Sequence, residues 1–318
     1  GKARLSTYGL TKLPNDIIRS SSEKVIEDLA GALREIVDKA NISAKKATTA
    51  LPGFAVFTHS FDLPRIPENE ISKAVLYEAE KFLPRDITEM IIDWEIVEKP
   101  NSKTEKNKIL LTAAPKNLVN RYTKIFKIAG LNLESLETEA FALARSLVGT
   151  DKSPVLIIDM GATATDVEII DHGSPLLTRT VNFGGNAITQ SIAGSMNIVF
   201  DRAEQFKKDF GLAQDKLGGQ VPRAIQPVVE AIVKEIKQTF NLFYSQGGRK
   251  IEKIILTGGS AKLFDFDKFL EKLLGINVYV GNPWARVSYP EELEPMVKEI
   301  GPDFAVAIGL AMREIYSN

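Results

Sequence analysis

Three short stretches of this sequence carry residue types suited to holding a phosphate-bearing ligand. The first is Asp159-Met160-Gly161-Ala162-Thr163-Ala164-Thr165-Asp166. An apolar run ends in a carboxylate and then turns on glycine into a stretch edged with hydroxyls. Glycine lets backbone N–H groups approach an anion closely, and threonine hydroxyls add donors. Asp159 is suited to holding Mg2+ through water, because that ion usually keeps part of its hydration shell. The same residues would also make a plain β-hairpin with surface threonines. The second stretch, Leu256-Thr257-Gly258-Gly259-Ser260-Ala261-Lys262-Leu263, breaks a buried strand into two glycines ahead of a helix. That suits a nucleotide resting on backbone at a helix N-terminus, or simply a tight strand-to-helix turn. The third is Gly184-Gly185-Asn186-Ala187-Ile188-Thr189, followed by Ala203-Glu204-Gln205-Phe206-Lys207. Glu204 and Lys207 share a helix face at that spacing, as any surface ion pair would. The order of the three stretches is more specific than any one of them.

These residues need elements to position them. Residues 155–159 are almost wholly apolar, the mark of a strand in a sheet covered on both faces. Strands are predicted at 167–170 and 176–182 around the turn at His172-Gly173, and another at 253–256. Helices are predicted at 186–196, 201–210, 221–245 and 304–315. This half of the chain reads as α/β with glycine turns between strand and helix. Upstream, residues 3–5 alternate like a strand, and Ser20 with Glu23 spells a capping box. Val25, Ile26, Leu29, Leu33, Ile36, Val37 and Ala40 then recur at helical spacing. Residues 47–61 are β-rich and broken at Pro52-Gly53. From about 60 to 138 a new unit follows: a helix at 68–82, strands at 91–97 and 109–113 joined by the polar loop 98–107, a helix at 116–129 and a strand at 131–137. That pattern predicts a small α+β subdomain inserted into a larger fold. The expected division is 1–59, 60–138, 139–154, 155–300 and 301–318.

The composition narrows the chemistry. The chain has 318 residues, a length that suggests two domains or one two-lobed fold. Lys and Arg total 40 against 41 Asp and Glu, so no global field draws it to nucleic acid or an anionic membrane. Cysteine is absent, which excludes disulfides and thiolate sites. His59 and His172 are the two histidines, too few for a histidine metal cluster. Both, like Trp94 and Trp284, read as turn or packing residues. No run approaches the roughly 18–20 apolar residues of a membrane span. No export signal is evident, and the cytoplasm is the expected compartment.

Taken together, the motifs resemble the actin-like ATPase superfamily and its FtsA-like branch. That family has a second phosphate loop of D-x-G-x-x-x-T type, then G-G-N/D-x-I-T, a helix with A-E-x-x-K, and an adenosine site x-T-G-G-x-x-x-L. All four occur here in order, at 159–165, 184–189, 203–207 and 257–263. Within the branch the sequence is most similar to the PilM-type family of type IV pilus assembly proteins. That likeness is carried by Leu63-Pro64-Arg65-Ile66-Pro67, by Ala74-Val75 through Phe82-Leu83-Pro84, by Asp93-Trp94 and by Asn282-Pro283-Trp284. The resemblance implies ATP with Mg2+ as ligand. Asp159, Gly161, Ala162 and Thr163 would face phosphates and metal, and Gly184, Gly185 and Asn186 would line the cleft. Glu204 and Lys207 would contact ribose and adenine, Gly258, Gly259 and Ser260 would hold the adenosine, and the helix at 304–312 would return to the first lobe.

The superfamily's first phosphate hairpin would precede Gly1, so the chain is expected to begin inside the fold; a degenerate protein that no longer binds nucleotide is the alternative. No residue is placed by motif to orient an attacking water, Asp166 being the nearest in sequence. The resemblance therefore implies a cytoplasmic nucleotide-dependent scaffold, recruited to the inner face of the cytoplasmic membrane. Its partner would be the N-terminal tail of an inner-membrane PilN-like protein, in a groove walled by the helix at 68–82 and the segment 83–88. Self-association is also in keeping with the superfamily. The alternatives are a small-molecule kinase of the same superfamily and an FtsA-like filament protein. A kinase would need a carboxylate base that the insert does not offer. The filament protein would want an amphipathic anchor, for which residues 313–318 are too few.

Overall fold

The structure is a computed structural model that describes residues 3–14, 17, 20–98, 106–213 and 217–316. Gly1 and most of the expected loop 98–107 lie outside the described residues. The chain divides into two compact units, Ser6–Glu139 and Gly1–Leu5 with Ala140–Asn318.

The first strand, β1 (Ala3–Arg4), belongs to the second of these units. In the unit Ser6–Glu139, α1 (Glu23–Lys39) starts two residues later than the expected capping box places it. Ser22 is the N-cap, its Oγ accepting the Val25 N–H at 3.3 Å, while Ser20 Oγ takes the Ser22 N–H at 3.4 Å. Glu23 is thereby the first helical residue, too early to reach back to the cap. It pairs instead with Lys124 at 2.5 Å.

The chain continues through β2 (Lys46–Leu51), β3 (Phe57–Pro64), α2 (Glu68–Ala79), β4 (Met90–Glu98), β5 (Lys106–Pro115), α3 (Lys116–Ile128) and β6 (Asn132–Thr138). Strands β3, β5 and β4 form an antiparallel sheet with β5 in the middle. Its Ile109 and Leu111 pack with Leu63 and with Ile71, Val75 and Ala79 of α2. Helix α2 ends at Ala79 rather than Phe82, because Pro84 disfavours helical backbone at Leu83 and has no N–H to continue the ladder. Strand β6 pairs in parallel with β2, and α1 packs on α3 through Ile26, Ala30 and Ile125. The last helix and strand of the expected insert thus join elements of the first 59 residues.

In the other unit, α4 (Glu139–Leu143) runs into a π-helical turn, Ala144–Val148, closed by Gly149 at φ +63°. Then come β7 (Val155–Met160), β8 (Thr165–Asp171), β9 (Ser174–Val181), α5 (Gly185–Met196), α6 (Phe200–Phe210), α7 (Gln220–Ser245), β10 (Lys253–Thr257), α8 (Phe266–Leu274), β11 (Asn277–Val280), β12 (Val287–Ser288), α9 (Glu294–Ile300), α10 (Ala305–Ala311) and α11 (Arg313–Tyr316). The main sheet has the order β11-β10-β7-β8-β9, and β12 pairs with β1. Strands β10 and β7 are parallel neighbours, and residues 155–158 and 254–256 are buried between the layers. The expected single helix 304–315 is broken, with a 3-10 turn at Gly301–Phe304 and a new start at Arg313. Among the described residues no helix is long and apolar enough to cross a membrane.

An ion pair tethers the start of this sheet. Asp151 accepts from Lys253 Nζ at 2.5 Å and from the N–H and hydroxyl of Ser153 at 2.9 and 2.8 Å. The Lys253 hydrogen bond and those from Ser153 hold its carboxyl down at about 2. A depressed carboxyl stabilises the fold above the unfolded value near 4 and loses that effect as pH falls through 2. The pair is about one-third exposed, so solvent screening limits its contribution to about 1 kcal/mol. Asp151→Asn is expected to lower stability by about that amount at pH 7. Urea unfolding should show the gap from wild type closing between pH 4 and 2.

Candidate functional site

The parallel pairing of β10 with β7 aligns Thr257 with Asp159, which brings the first two motifs to the same sheet end. There the chain leaves β7 through the loop Gly161-Ala162-Thr163-Ala164 before β8 begins at Thr165. The loop is fastened to α5: Gly185 N–H donates to Gly161 O and Asn186 N–H to Ala162 O, both at 2.9 Å. Gly184, the N-cap of α5, has no side chain to cap with, and the loop carbonyls do that work. A Cβ on Gly184 would lie 2.4 Å from Gly161 O. Ser260 N–H donates to Met160 O at 3.0 Å, and a Cβ on Gly185 would lie 2.3 Å from Ser260 Oγ. Gly258, at φ +82°, passes so close that a Cβ would meet Asp159 Oδ1 at 2.3 Å. All three motifs therefore converge, and backbone atoms leave no room for a Cβ at Gly184 or Gly258.

Helix α6 adds the ion pair. Lys207 is buried, with Nζ 2.7 Å from Glu204 Oε2 and 3.2 Å from Gly185 O. Glu204 Oε2 also accepts from Thr189 Oγ1 at 2.5 Å. Burial raises the Glu204 carboxyl, but the hydrogen bonds from Lys207 and Thr189 outweigh it and hold the group below its usual range. This pair locks α6 to the first turns of α5 and is no ordinary surface bridge.

Among the described residues the backbone N–H groups of Ala162, Thr163 and Ala164 have no protein acceptor. Three adjacent open donors on a glycine turn have the chemistry of backbone that can take an anion. Thr165 does not share that role: its Oγ1 donates to Phe183 O at 2.7 Å and the residue is fully buried. Asp166 pairs across the hairpin with Asp159 and accepts from Thr180 Oγ1. Burial pushes the Asp159 carboxyl up to about 7, and Asp166 and Asp303 push it further in the same direction. Such a group favours a neighbouring cation. No cluster of three metal-ligating side chains exists among the described residues, so the donor set fits a cation held by one carboxylate with water and phosphate oxygens. Asp303 is the member that sequence reading missed. The turn at Gly301–Phe304 delivers it, and Pro302 O takes Gly258 N–H and Thr257 Oγ1, both at 3.1 Å. No motif marks that turn.

The unit Ser6–Glu139 holds a groove of about 590 Å3, lined in part by Pro52, Phe54, Phe57, Pro84, Arg85 and Met90. Of the two walls expected from sequence, segment 83–88 reaches it through Pro84 and Arg85. No residue of α2 lines it, because that helix buries its apolar face on the sheet. Phe82 is 40% exposed, with its ring 4.3 Å from that of His59. Burial among Phe57, Phe61 and Phe82 lowers the His59 pKa, in keeping with a packing role. Trp284 is likewise buried, against Tyr289 and Phe304.

Comparison with known proteins places this geometry. Residues 1–315 match the family model for "Type IV pilus assembly protein PilM". Among solved structures, the chain is similar to one described as a PilM-PilN type IV pilus biogenesis complex. The likeness has a TM-score of 0.82 and 27% identity over 96% of this chain and 90% of that one. It is also similar to MreB5 of Spiroplasma citri bound to ADP, with a TM-score of 0.50 and 15% identity over 96% of this chain and 78% of the other. Among curated proteins, cell division protein FtsA of Neisseria meningitidis is 22% identical over 96% of this chain and 83% of its own length. The fold is that of the actin-like ATPases.

Proposed function

This chain belongs to the type IV pilus assembly protein PilM family, and on that premise we propose that it is a nucleotide-binding scaffold of a type IV pilus or related assembly system. The proposed partner is the cytoplasmic N-terminal tail of an inner-membrane PilN-like protein, which would bring the scaffold to the inner face of the cytoplasmic membrane. The observation that carries this reading is the 96% coverage of the chain by the likeness to a PilM-PilN complex. The proposed seat of the tail is the groove beside Pro84 and Arg85, a concave, partly apolar surface of the kind that takes extended peptides.

The proposed ligand of the other unit is ATP with Mg2+. In this reading the N–H groups of Ala162, Thr163 and Ala164 hold phosphate oxygens, and Asp159 holds the cation through water. Gly258, Gly259 and Ser260 lie under the adenosine, with Glu204 and Lys207 on α6 beside it. Binding is favoured over turnover, because Asp166 is buried and engaged with Thr180 rather than free to orient a water.

The test is fluorescence anisotropy of a peptide copied from the first residues of a PilN-like protein, with and without ATP and Mg2+. Binding is expected to tighten about tenfold with nucleotide, a coupling of ordinary allosteric size. Equal affinity in both conditions would sink the nucleotide dependence. Absence of binding, with ATP turnover stimulated by a sugar or acid, would favour the kinase reading instead.

A further inference from the structure

Two carboxylates converge on the turn that follows β10. Gly258 and Gly259 are consecutive there. A Cβ on the first would lie 2.3 Å from Asp159 Oδ1, and one on the second would lie 2.9 Å from Asp303 Oδ1. Asp159 comes from the end of β7 and Asp303 from the 3-10 turn Gly301–Phe304. The residue before Asp303 fastens that turn, since Pro302 O accepts both the Gly258 N–H and the Thr257 hydroxyl at 3.1 Å. The place of Asp303 is thus set by the fold rather than by a free loop.

Neither carboxylate is satisfied by the protein. Among the described residues the Asp159 carboxylate has no hydrogen-bond donor and no paired cation. Asp303 has Lys262, whose Nζ stands 3.6 Å from Oδ2, beyond a good hydrogen bond, and its other oxygen is left toward Gly259. The two acids feel each other, for Asp303 helps to raise the Asp159 carboxyl. Neighbouring carboxylates without donors are costly unless a cation joins them. An open group of the opposite kind lies at the same turn: Gly259 is exposed, and its N–H has no protein acceptor among the described residues. Acceptors for a cation beside a donor for an anion match a ligand that carries both, a metal-bound phosphate.

We infer that Asp303 is a second carboxylate for the hydrated Mg2+ of the nucleotide, and that it makes nucleotide binding depend on that cation. This rests on the ATP reading above and adds to it a residue outside the four motifs. Magnesium gives up its waters reluctantly, so a carboxylate serves it by accepting hydrogen bonds from those waters. Without the cation, Asp159 and Asp303 face the phosphates directly and repel them. Asp303 therefore acts with opposite sign in the two conditions, favourable with Mg2+ and unfavourable without it.

The experiment titrates the full chain with a fluorescent ATP analogue, once in excess Mg2+ and once in excess EDTA. Asp303→Asn is nearly isosteric and removes the charge and the long pair with Lys262. It is expected to bind about tenfold more weakly than wild type with Mg2+ and about threefold more tightly with EDTA, effects of the size of one charge near a protein surface. The Mg2+ concentration that half-saturates binding at fixed nucleotide should rise as well. Lys262→Gln breaks the same pair but leaves Asp303 charged, so its ratio of affinities with and without Mg2+ should be no smaller than that of wild type. If Asp303→Asn binds more weakly by one factor in both conditions, or more tightly in both, the inference is overturned and the nucleotide site stands. A Lys262→Gln ratio that falls as far as that of Asp303→Asn overturns it too. A wild-type chain that binds no nucleotide with Mg2+ overturns the ATP reading itself, and the role of Asp303 with it.

Discussion

Gly184→Ala is expected to lower ATP affinity about 100-fold, the equivalent of roughly 2.8 kcal/mol. The cause is local. A Cβ at this position would lie 2.4 Å from Gly161 O and 2.7 Å from the carbonyl carbon and oxygen of Ala162. These are backbone atoms on both sides, so no side chain can rotate away. The loop must retreat from α5, breaking the 2.9 Å bonds from Gly185 and Asn186 and displacing the backbone of Ala162–Ala164. Gly194 on the same helix is the control, because nothing lies within 4 Å of its Cβ position. Gly194→Ala is expected to leave affinity unchanged and to raise stability by about 0.5–1 kcal/mol through helix propensity. Titration with a fluorescent ATP analogue separates the two variants. Equal affinity for Gly184→Ala and wild type would remove the loop from the nucleotide site.

The second large effect is on folding. Gly309→Ala is expected to destabilise the unit that contains the main sheet by about 3 kcal/mol or more. Helix α10 crosses the 139–148 helix at Gly309, where a Cβ would stand 1.9 Å from Ala142 O and 2.5 Å from its carbon. The crossing is also stitched by Arg145, whose guanidinium donates to Gly309 O at 2.6 Å. Separating the helices to admit one methyl group would stretch that bond and open the apolar layer of Leu143, Val155, Ile157 and Ala305. Urea and thermal unfolding measure the loss. A variant as stable as wild type would mean that the crossing can relax cheaply.

Much of this was legible in residue spacing. The apolar run at 155–158 announces a strand covered on both faces, and the order of the glycine motifs announces the site. The errors were of a consistent kind. Ser20 and Ser22 have the same capping chemistry, and only the packing of α1 on α3, with Glu23 reaching Lys124, selects Ser22. The apolar face of α2 predicts a helix to Phe82, but Pro84 ends it at Ala79. Strand β6 reads as the close of an insert because nothing local says that its partner is β2, some 85 residues earlier in the chain.

What the sequence determined by itself was which backbone positions had to be bare. Gly184 and Gly258 mark close approach wherever they end up, since a missing side chain is a property of the residue. What they approach was decided by tertiary structure. The β10–β7 register sets Thr257 against Asp159, and the Gly301–Phe304 turn brings Asp303 to the same place. Spacing along a chain is short-ranged, whereas a carboxyl raised to about 7 depends on burial and on the charges of Asp166 across the hairpin and of Asp303 from a distant segment.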